Sequence, residues 1–332
     1  MDFQEFCSAV VTAAAHALPD TTIPNIRTVL KNNDIERSAL YIHCKDITCS
    51  PIVYLDPYFQ EYTNGRPFGD IMEDILRCFE TPFHVPSMYR FIQDLTDPVP
   101  YLYIRLIHLE SNVKQLTDVP YETYLDLAAV CELSIECPDM EGTALIHHRH
   151  LTEWDMTEEE LFTAAWNNTI CKRISVLKPV DESLYLYEQA LLTLPLSAQI
   201  PEHLQVQRQS LRNTYLRWSS LMSSSAFHLF ALSNTSNFHG AACLLYPNIL
   251  AQIAQAMDSD LYLIPSSIHE LLLAPADHSP QTEKLLTEIL CEVNAEAVLP
   301  TEILGSHIYY YSQAQHRLFL SPNAPLENSM TL

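Results

Sequence analysis

The stretch F238-HGAACLLYPNILAQIAQAMDSDLYLIPSSIHELLLA-P275 decides the reading of this chain. Its first half has helix signals. Pro247 suits a first helical position, and Ile249, Leu250, Ile253, Ala254 and Met257 recur at three-and-four spacing to make one apolar face. Asp258-Ser259-Asp260 closes that helix. Two short apolar runs follow, Leu261–Ile264 and Ile268–Leu273, separated only by Pro265-Ser266-Ser267. A connection that short joins antiparallel neighbours, because a parallel crossover needs a dozen residues or more. A helix followed by a tight apolar ribbon predicts an α+β fold with mainly antiparallel sheets and packed helices.

The same alternation continues on both sides. Downstream, Ser279-Pro280 opens a helix whose buried side is Leu285, Leu286, Ile289, Leu290 and Val293, and Ile308–Tyr311 with Arg317–Leu320 read as a hairpin. Upstream, Phe227–Leu232 is a strand, and Met156–Asn168 is a helix opened by a T-x-x-E capping box, Thr157 to Glu160. Tyr101–Leu109 and Tyr124–Ile135 read as strands, the second as one nearly continuous apolar run, with Gly142–His147 as its pairing partner. Near the start, an amphipathic helix precedes a hairpin of Asn25–Leu30 with Ser38–Cys44, then a helix from Pro57 to Asn64-Gly65 and another carrying Ile71, Ile75, Leu76 and Phe79. The organisation expected is an N-terminal α+β portion at 1–190, a variable linker or helical insert at 191–225, a C-terminal α+β portion at 226–320 and a disordered tail at 321–332. Leu204–Leu221 is a helix candidate within the insert.

Composition excludes several functions. The 332 residues are 48% apolar and 18% charged, ordinary globular usage. A net charge of -23, from 41 acidic and 18 basic residues, gives no basic surface for phosphate backbones or anionic lipid, so neither nucleic acid nor membrane is an expected partner. Five glycines are too few and too dispersed for a phosphate-cradling loop, and G-x-S-x-G is absent. The nine cysteines are scattered and none forms C-x-x-C, which fits thiols in a reducing compartment better than zinc or a redox motif. The first residues lack a basic segment ahead of an apolar one, and the expected location is cytoplasmic. No cofactor is implied.

Three groups of residues invite chemistry. His147-His148-Arg149-His150 suggests a metal, but extended backbone would point His147 and His148 apart, and Arg149 adds an opposing charge. Ser266-Ser267-Ile268-His269-Glu270 suggests Ser-His-Glu catalysis. In a strand, however, His269 and Glu270 project to opposite faces, each a polar residue in an apolar row that needs a partner. The choice there lies between a structural hydrogen bond and a ligand pocket. Tyr54, Asp56, Tyr58 and Tyr62 form an aromatic group around one acid, with Asp56 also suited to cap the helix at Pro57. The candidate ligand-binding residues are therefore Ser266, Ser267, His269, Glu270, Tyr54 and Asp56, with no catalytic and no metal residue assigned. The reading is a non-enzymatic binding or adaptor protein for an unknown protein or small-molecule partner. The alternative is a hydrolytic or metal-dependent enzyme using His269 and Glu270 or the His147–His150 cluster.

Four stretches carry a family resemblance: YLDPYFQEYTNGR (54–66), IRLIHLESNVKQLTDVPYETYLDLA (104–128), LIHHRHLTEWDMTEEEL (145–161) and HGAACLLYPNIL with DLYLIPSSIHELLL (239–273). On these the chain resembles the bacterial domain of unknown function 5688, and more faintly domain of unknown function 1444. The resemblance implies a cytoplasmic bacterial protein of mixed α and β structure and transfers no catalytic residue. Asp258-Ser259 stands where a glycine often ends the helix in that family.

Overall fold

A computed structural model describes residues 1–19, 21–44, 52–80, 95–137, 140–180, 229–320 and 329–331. The 191–225 insert and its helix candidate at Leu204–Leu221 lie outside them. The chain divides into two compact units, Met1–Pro98 with Ser134–Ala144, and Val99–Leu133 with Leu145–Leu332.

In the first unit, α1 (Phe3–Ala17) starts at a reciprocal cap in which Asp2 accepts from the Glu5 N–H and Glu5 accepts from the Asp2 N–H. Strands β1 (Thr22–Leu30), β2 (Glu36–Cys44) and β3 (Ile52–Tyr54) form an antiparallel sheet in that order. Helices α2 (Asp56–Thr63) and α3 (Phe68–Glu80) follow. Leu40 and Val53 point from one sheet face into a core with Phe6, Val10, Ile71 and Ile75. Arg66 joins the helices through Glu61 of α2 and Asp74 of α3. Asp56 does not cap its helix as expected. Its carboxylate accepts from the Ser38 N–H at 3.2 Å and lies 3.5 Å from Arg37, tying α2 to β2.

In the second unit, β4 (Leu102–His108) pairs antiparallel with β6 (Leu127–Cys137), which also pairs with β5 (Tyr121–Tyr124). The strand expected over Tyr124–Ile135 is β6 from Leu127 onward, and Tyr124 is the last residue of β5. Leu125, at φ 55°, and Asp126 make a two-residue turn between them. A leucine in the left-handed region is unusual, which is why an almost uniform apolar run did not betray the reversal. The far end of β6 pairs with β7 (Met140–Leu145), and most of this hairpin belongs to the first unit. Helix α4 (His148–Trp154) precedes α5 (Glu158–Lys172), which opens on the expected Thr157–Glu160 capping box. Helix α5 lies along the β4 edge, where Thr169 Oγ1 accepts from the Ile104 N–H at 2.8 Å.

The larger sheet of this unit has the order β14-β13-β12-β10-β11-β9-β8, with antiparallel pairing throughout. Its strands are β8 (Ser175–Pro179), β9 (Phe230–Asn234), β10 (Leu261–Ile264), β11 (Leu271–Pro275), β12 (Tyr309–Ser312), β13 (Arg317–Leu320) and β14 (Ser329–Thr331). Every residue of β10 is buried, so a central strand covered on both faces reads as an unbroken apolar run. Helix α7 (Pro280–Glu296), capped by Ser279, sets Leu286, Ile289 and Leu290 against Tyr262, Ile264, Leu272 and Ala274. Leu285, expected on that buried side, is exposed.

Three further expectations change here. Helix α6 (Ile249–Met257) begins after Asn248, so Pro247 lies outside it. Ser329–Thr331, placed by sequence in a disordered tail, pairs with β13. Strand β11 starts only at Leu271: the Ile268 N–H donates to the Glu302 carbonyl and the His269 N–H to Ser267 Oγ, so neither is available to a ladder.

Candidate functional site

Glu132 is the residue around which polar groups gather. It sits on β6 directly opposite Tyr103 of β4, and Arg105, two residues along β4, shares that face. The carboxylate is buried, and its Oε1 accepts from His239 Nδ1 at 2.6 Å. Arg173, the residue that ends α5, brings Nη1 to 3.8 Å from Oε1 and lays its guanidinium 4.1 Å over the Tyr103 ring. Arg105 Nη1 stands 3.9 Å from Oε2. Contacts of 3.8–3.9 Å are ion pairs without hydrogen bonds. Glu132 Oε2 and Arg105 Nε consequently have no hydrogen-bond partner among the described residues.

His239 arrives from the other side of the unit, in left-handed backbone (φ 48°, ψ 35°), just before the 3-10 turn Gly240–Leu245. Its N–H donates to His269 Nδ1 at 3.2 Å, and the two imidazoles stack 5.3 Å apart at 17°. His269 Nε2 faces Glu302 Oε1 at 3.7 Å. The loop from Pro265 to Glu270 that carries His269 is tied down at its backbone. Ser233 Oγ donates to the His269 carbonyl at 2.8 Å, and the Ala241 N–H donates to the Ile268 carbonyl at 3.3 Å. Gly240 permits this approach: a Cβ there would lie 2.6 Å from the His269 carbonyl oxygen and 2.8 Å from the Asn234 nitrogen, and closer still to Ser233 Oγ.

Burial pushes the Glu132 carboxyl up, but His239, Arg105 and Arg173 outweigh it and hold it below the ordinary range. Burial also pushes His239 down, against the pull of Glu132. His239, the nearest partner, and the two arginines together favour the ionised form of Glu132. A neutral His239 that donates from Nδ1 presents a lone pair at Nε2.

The residues singled out by sequence divide between the units. Tyr54 and Asp56 belong to the first, where Lys31 Nζ sits 4.8 Å over the Tyr54 ring and Asp56 binds β2. Ser266, Ser267, His269 and Glu270 belong to the second. There His269 joins Glu132 and His239, while Ser267 holds the loop backbone through its hydroxyl. The ion-pair partner of His269 is Glu302, not Glu270. Glu270 is partly buried, and burial raises its carboxyl against the opposing influence of His269. No strand separates the His269 and Glu270 side chains, since both residues precede β11.

The imidazoles of the His147–His150 cluster turn to separate partners. His147 Nδ1 is 3.1 Å from Asp118, His148 Nδ1 is 3.5 Å from Glu158, and His150 Nδ1 accepts from the His147 N–H at 3.0 Å. Among the described residues no three metal-ligating side chains converge, and no helix is long and apolar enough to cross a membrane. A solvent-open trough of about 700 Å³ runs along α7 between Lys284 and Glu296. It contains none of the converging groups, so the buried cluster and not the trough is the candidate site.

Sequence reasoning did not single out Glu132, Arg105, Arg173 or His239. Two of them carried a signal: Arg105 and Glu132 are each a lone charge embedded in an apolar strand, and a charge in that position is buried only with a partner.

The model of a family of unknown function (DUF5688) matches residues 3–313. The chain belongs to that family. The fainter likeness to domain of unknown function 1444 is not shown by this match. No curated protein and no solved structure matches the chain. Arg105, Glu132, Arg173, His239 and His269 all lie within the stretch that the DUF5688 model spans.

Proposed function

We propose that this DUF5688 chain is a non-enzymatic binding protein of the bacterial cytoplasm, and that its second unit takes a small polar ligand at Glu132, Arg105 and His239. The observation that carries the reading is the buried Glu132 carboxylate, whose Oε2 has no hydrogen-bond partner among the described residues and faces Arg105 across 3.9 Å. A buried ion-pair network is poor value as stabilisation, since apolar packing of similar volume does as well or better. Its presence in a cluster with shifted titration points to use. The open valences are an acceptor at Glu132 Oε2, an acceptor at His239 Nε2 and a donor at Arg105 Nε. The serine hydroxyls of Ser233 and Ser267 are committed to the backbone of His269. Burial raises the nearby Cys131 thiol, and that of Cys243 to about 12, so neither supplies a ready nucleophile. Free cysteines fit a reducing compartment.

The test is mass spectrometry of small molecules released when the purified chain is denatured. A compound released in molar proportion by the wild type and missing from a folded Arg105→Gln variant supports the site. A compound retained in full by that variant places binding elsewhere and ends the proposal.

The 2.6 Å Glu132–His239 pair favours a second reading, general-base activation of water by His239 in a hydrolase. Hydrolysis of p-nitrophenyl acetate that is abolished in a folded His239→Gln variant would support it. Equal rates in variant and wild type would remove it.

A further inference from the structure

We propose that Ser111 is an activated nucleophile that takes an acyl group from an activated ester, with His108 as its base and Asp126 positioning the imidazole. This goes beyond the binding reading and does not depend on it. A serine acylated once is modified rather than turned over, so the two readings are compatible.

His108 is the last residue of β4 and pairs with Leu127, the first of β6. The turn from β5 into β6 therefore sets Asp126 beside it, where the Asp126 carbonyl accepts from the Leu109 N–H at 2.9 Å. Ser111 follows in the 3-10 turn Glu110–Asn112 and is half-buried, with Glu110 and Val113 exposed nearby. Its hydroxyl lies 2.8 Å from His108 Nδ1, and its N–H donates to the same nitrogen at 3.2 Å. A backbone N–H can only donate, so Nδ1 is an acceptor and the hydroxyl donates to it as well. The hydrogen of the neutral ring is then on Nε2. That nitrogen faces Asp126 Oδ2 at 3.9 Å, a buried oxygen with no hydrogen-bond partner among the described residues. Exposed His307 brings Nδ1 to 3.6 Å from the same oxygen, and the Tyr309 hydroxyl donates to Oδ1.

Hydroxyl, imidazole and carboxylate in that order are the parts of nucleophilic serine chemistry. Capping of the 3-10 turn accounts for the N–H contact on Nδ1. It does not account for a buried carboxylate oxygen on the far side of the ring. At 3.9 Å that contact is an ion-pair distance rather than a hydrogen bond, and contacts of this kind tighten when substrate is bound. In the reaction, Ser111 Oγ forms a bond to the acyl carbon and its proton passes to His108 Nδ1. The imidazolium so formed faces the Asp126 carboxylate. Protonation of Nδ1 also leaves the Ser111 N–H free to donate to the developing oxyanion. The bond to the leaving oxygen then breaks, and that oxygen keeps the electron pair and takes the proton from His108.

A fluorophosphonate probe tests this, with phosphorus in place of the acyl carbon and fluoride as the leaving group. The full chain is labelled at pH 8, and adducts are located and timed by peptide mass spectrometry. Ser111 should be labelled well ahead of exposed Ser236, whose hydroxyl donates to Asn234. His108→Gln should slow Ser111 by about 100-fold or more, the usual worth of a general base. Asp126→Asn keeps an acceptor for Tyr309 and should slow labelling at least about tenfold, while Asp126→Glu, which returns the carboxylate, recovers part of the rate. Thermal midpoints establish that each variant is folded. Labelling of wild-type Ser111 no faster than Ser236 overturns the proposal and needs no variant. A wild-type rate in folded His108→Gln overturns it as well, and equal slowing in Asp126→Asn and Asp126→Glu makes Asp126 structural only. Neither Arg105 nor His239 takes part in this measurement, so the nucleophile and the binding site can fail separately.

Discussion

Glu132 faces three basic side chains at once, His239, Arg105 and Arg173. Replacing it with Gln leaves Arg105 and Arg173 buried against a neutral amide, and removing one partner of a buried ion pair typically costs about 3–5 kcal/mol. Denaturant titration at pH 7 should show a loss of that order for Glu132→Gln. Because the folded-state carboxyl lies below its unfolded value, its contribution is complete above the unfolded pKa and disappears as pH falls through the folded one. The variant's disadvantage should therefore shrink in acid. Glu270 has the opposite sign. Its carboxyl is raised on folding, so its charged form works against the fold once pH passes the unfolded value, about 4.3. Glu270→Gln should raise the thermal midpoint at pH 7–8 and lose that advantage below about pH 4; a lower midpoint at pH 7 would show that the carboxylate has a stabilising partner. Gly240→Ala should cost about 3 kcal/mol or more, since the atoms in its way include backbone that cannot yield. An alanine variant with wild-type midpoint would disprove the close approach on which the His269 loop depends.

Elements with local signals were legible, and those fixed by tertiary contacts were not. Thr157 and Ser279 announce α5 and α7 because a cap is made from residues adjacent in sequence. The turn at Leu125-Asp126 and the late start of β11 have no such signal, since one needs a leucine in left-handed backbone and the other a carbonyl at Glu302. The candidate site was half legible for the same reason. His269 stood out beside Glu270, whereas Glu132 and His239 are 107 positions apart and meet only in the folded unit. The end of α6 shows a local signal answered by the wrong residue. Asp258 sits at φ 50° and ψ 43°, backbone that glycine adopts freely and aspartate does not. Asp258→Gly should stabilise the chain by about 0.5–1 kcal/mol in denaturant titration. A loss instead would mean that the aspartate side chain contributes something the cap geometry does not reveal.

Across the whole molecule, the fold class was readable. Hairpin-length connections identified an antiparallel α+β protein, and the larger sheet is antiparallel throughout. The division into units follows contacts rather than sequence order: Ser134–Ala144 belongs with Met1–Pro98 although the second unit begins at Val99. An isolated 1–98 fragment should accordingly unfold at lower denaturant and less cooperatively than the same residues within the full chain, by hydrogen exchange. Equal protection would show the 134–144 hairpin to be dispensable. The interleaving also bears on biosynthesis. A nascent chain emerging from the ribosome cannot finish its leading unit until residue 144 is outside the exit tunnel, and by then part of the other unit has already emerged unfolded beside it. The leading unit therefore completes while the other is still unfinished, and a slow or paused translation before that point would leave the early core waiting for its last hairpin.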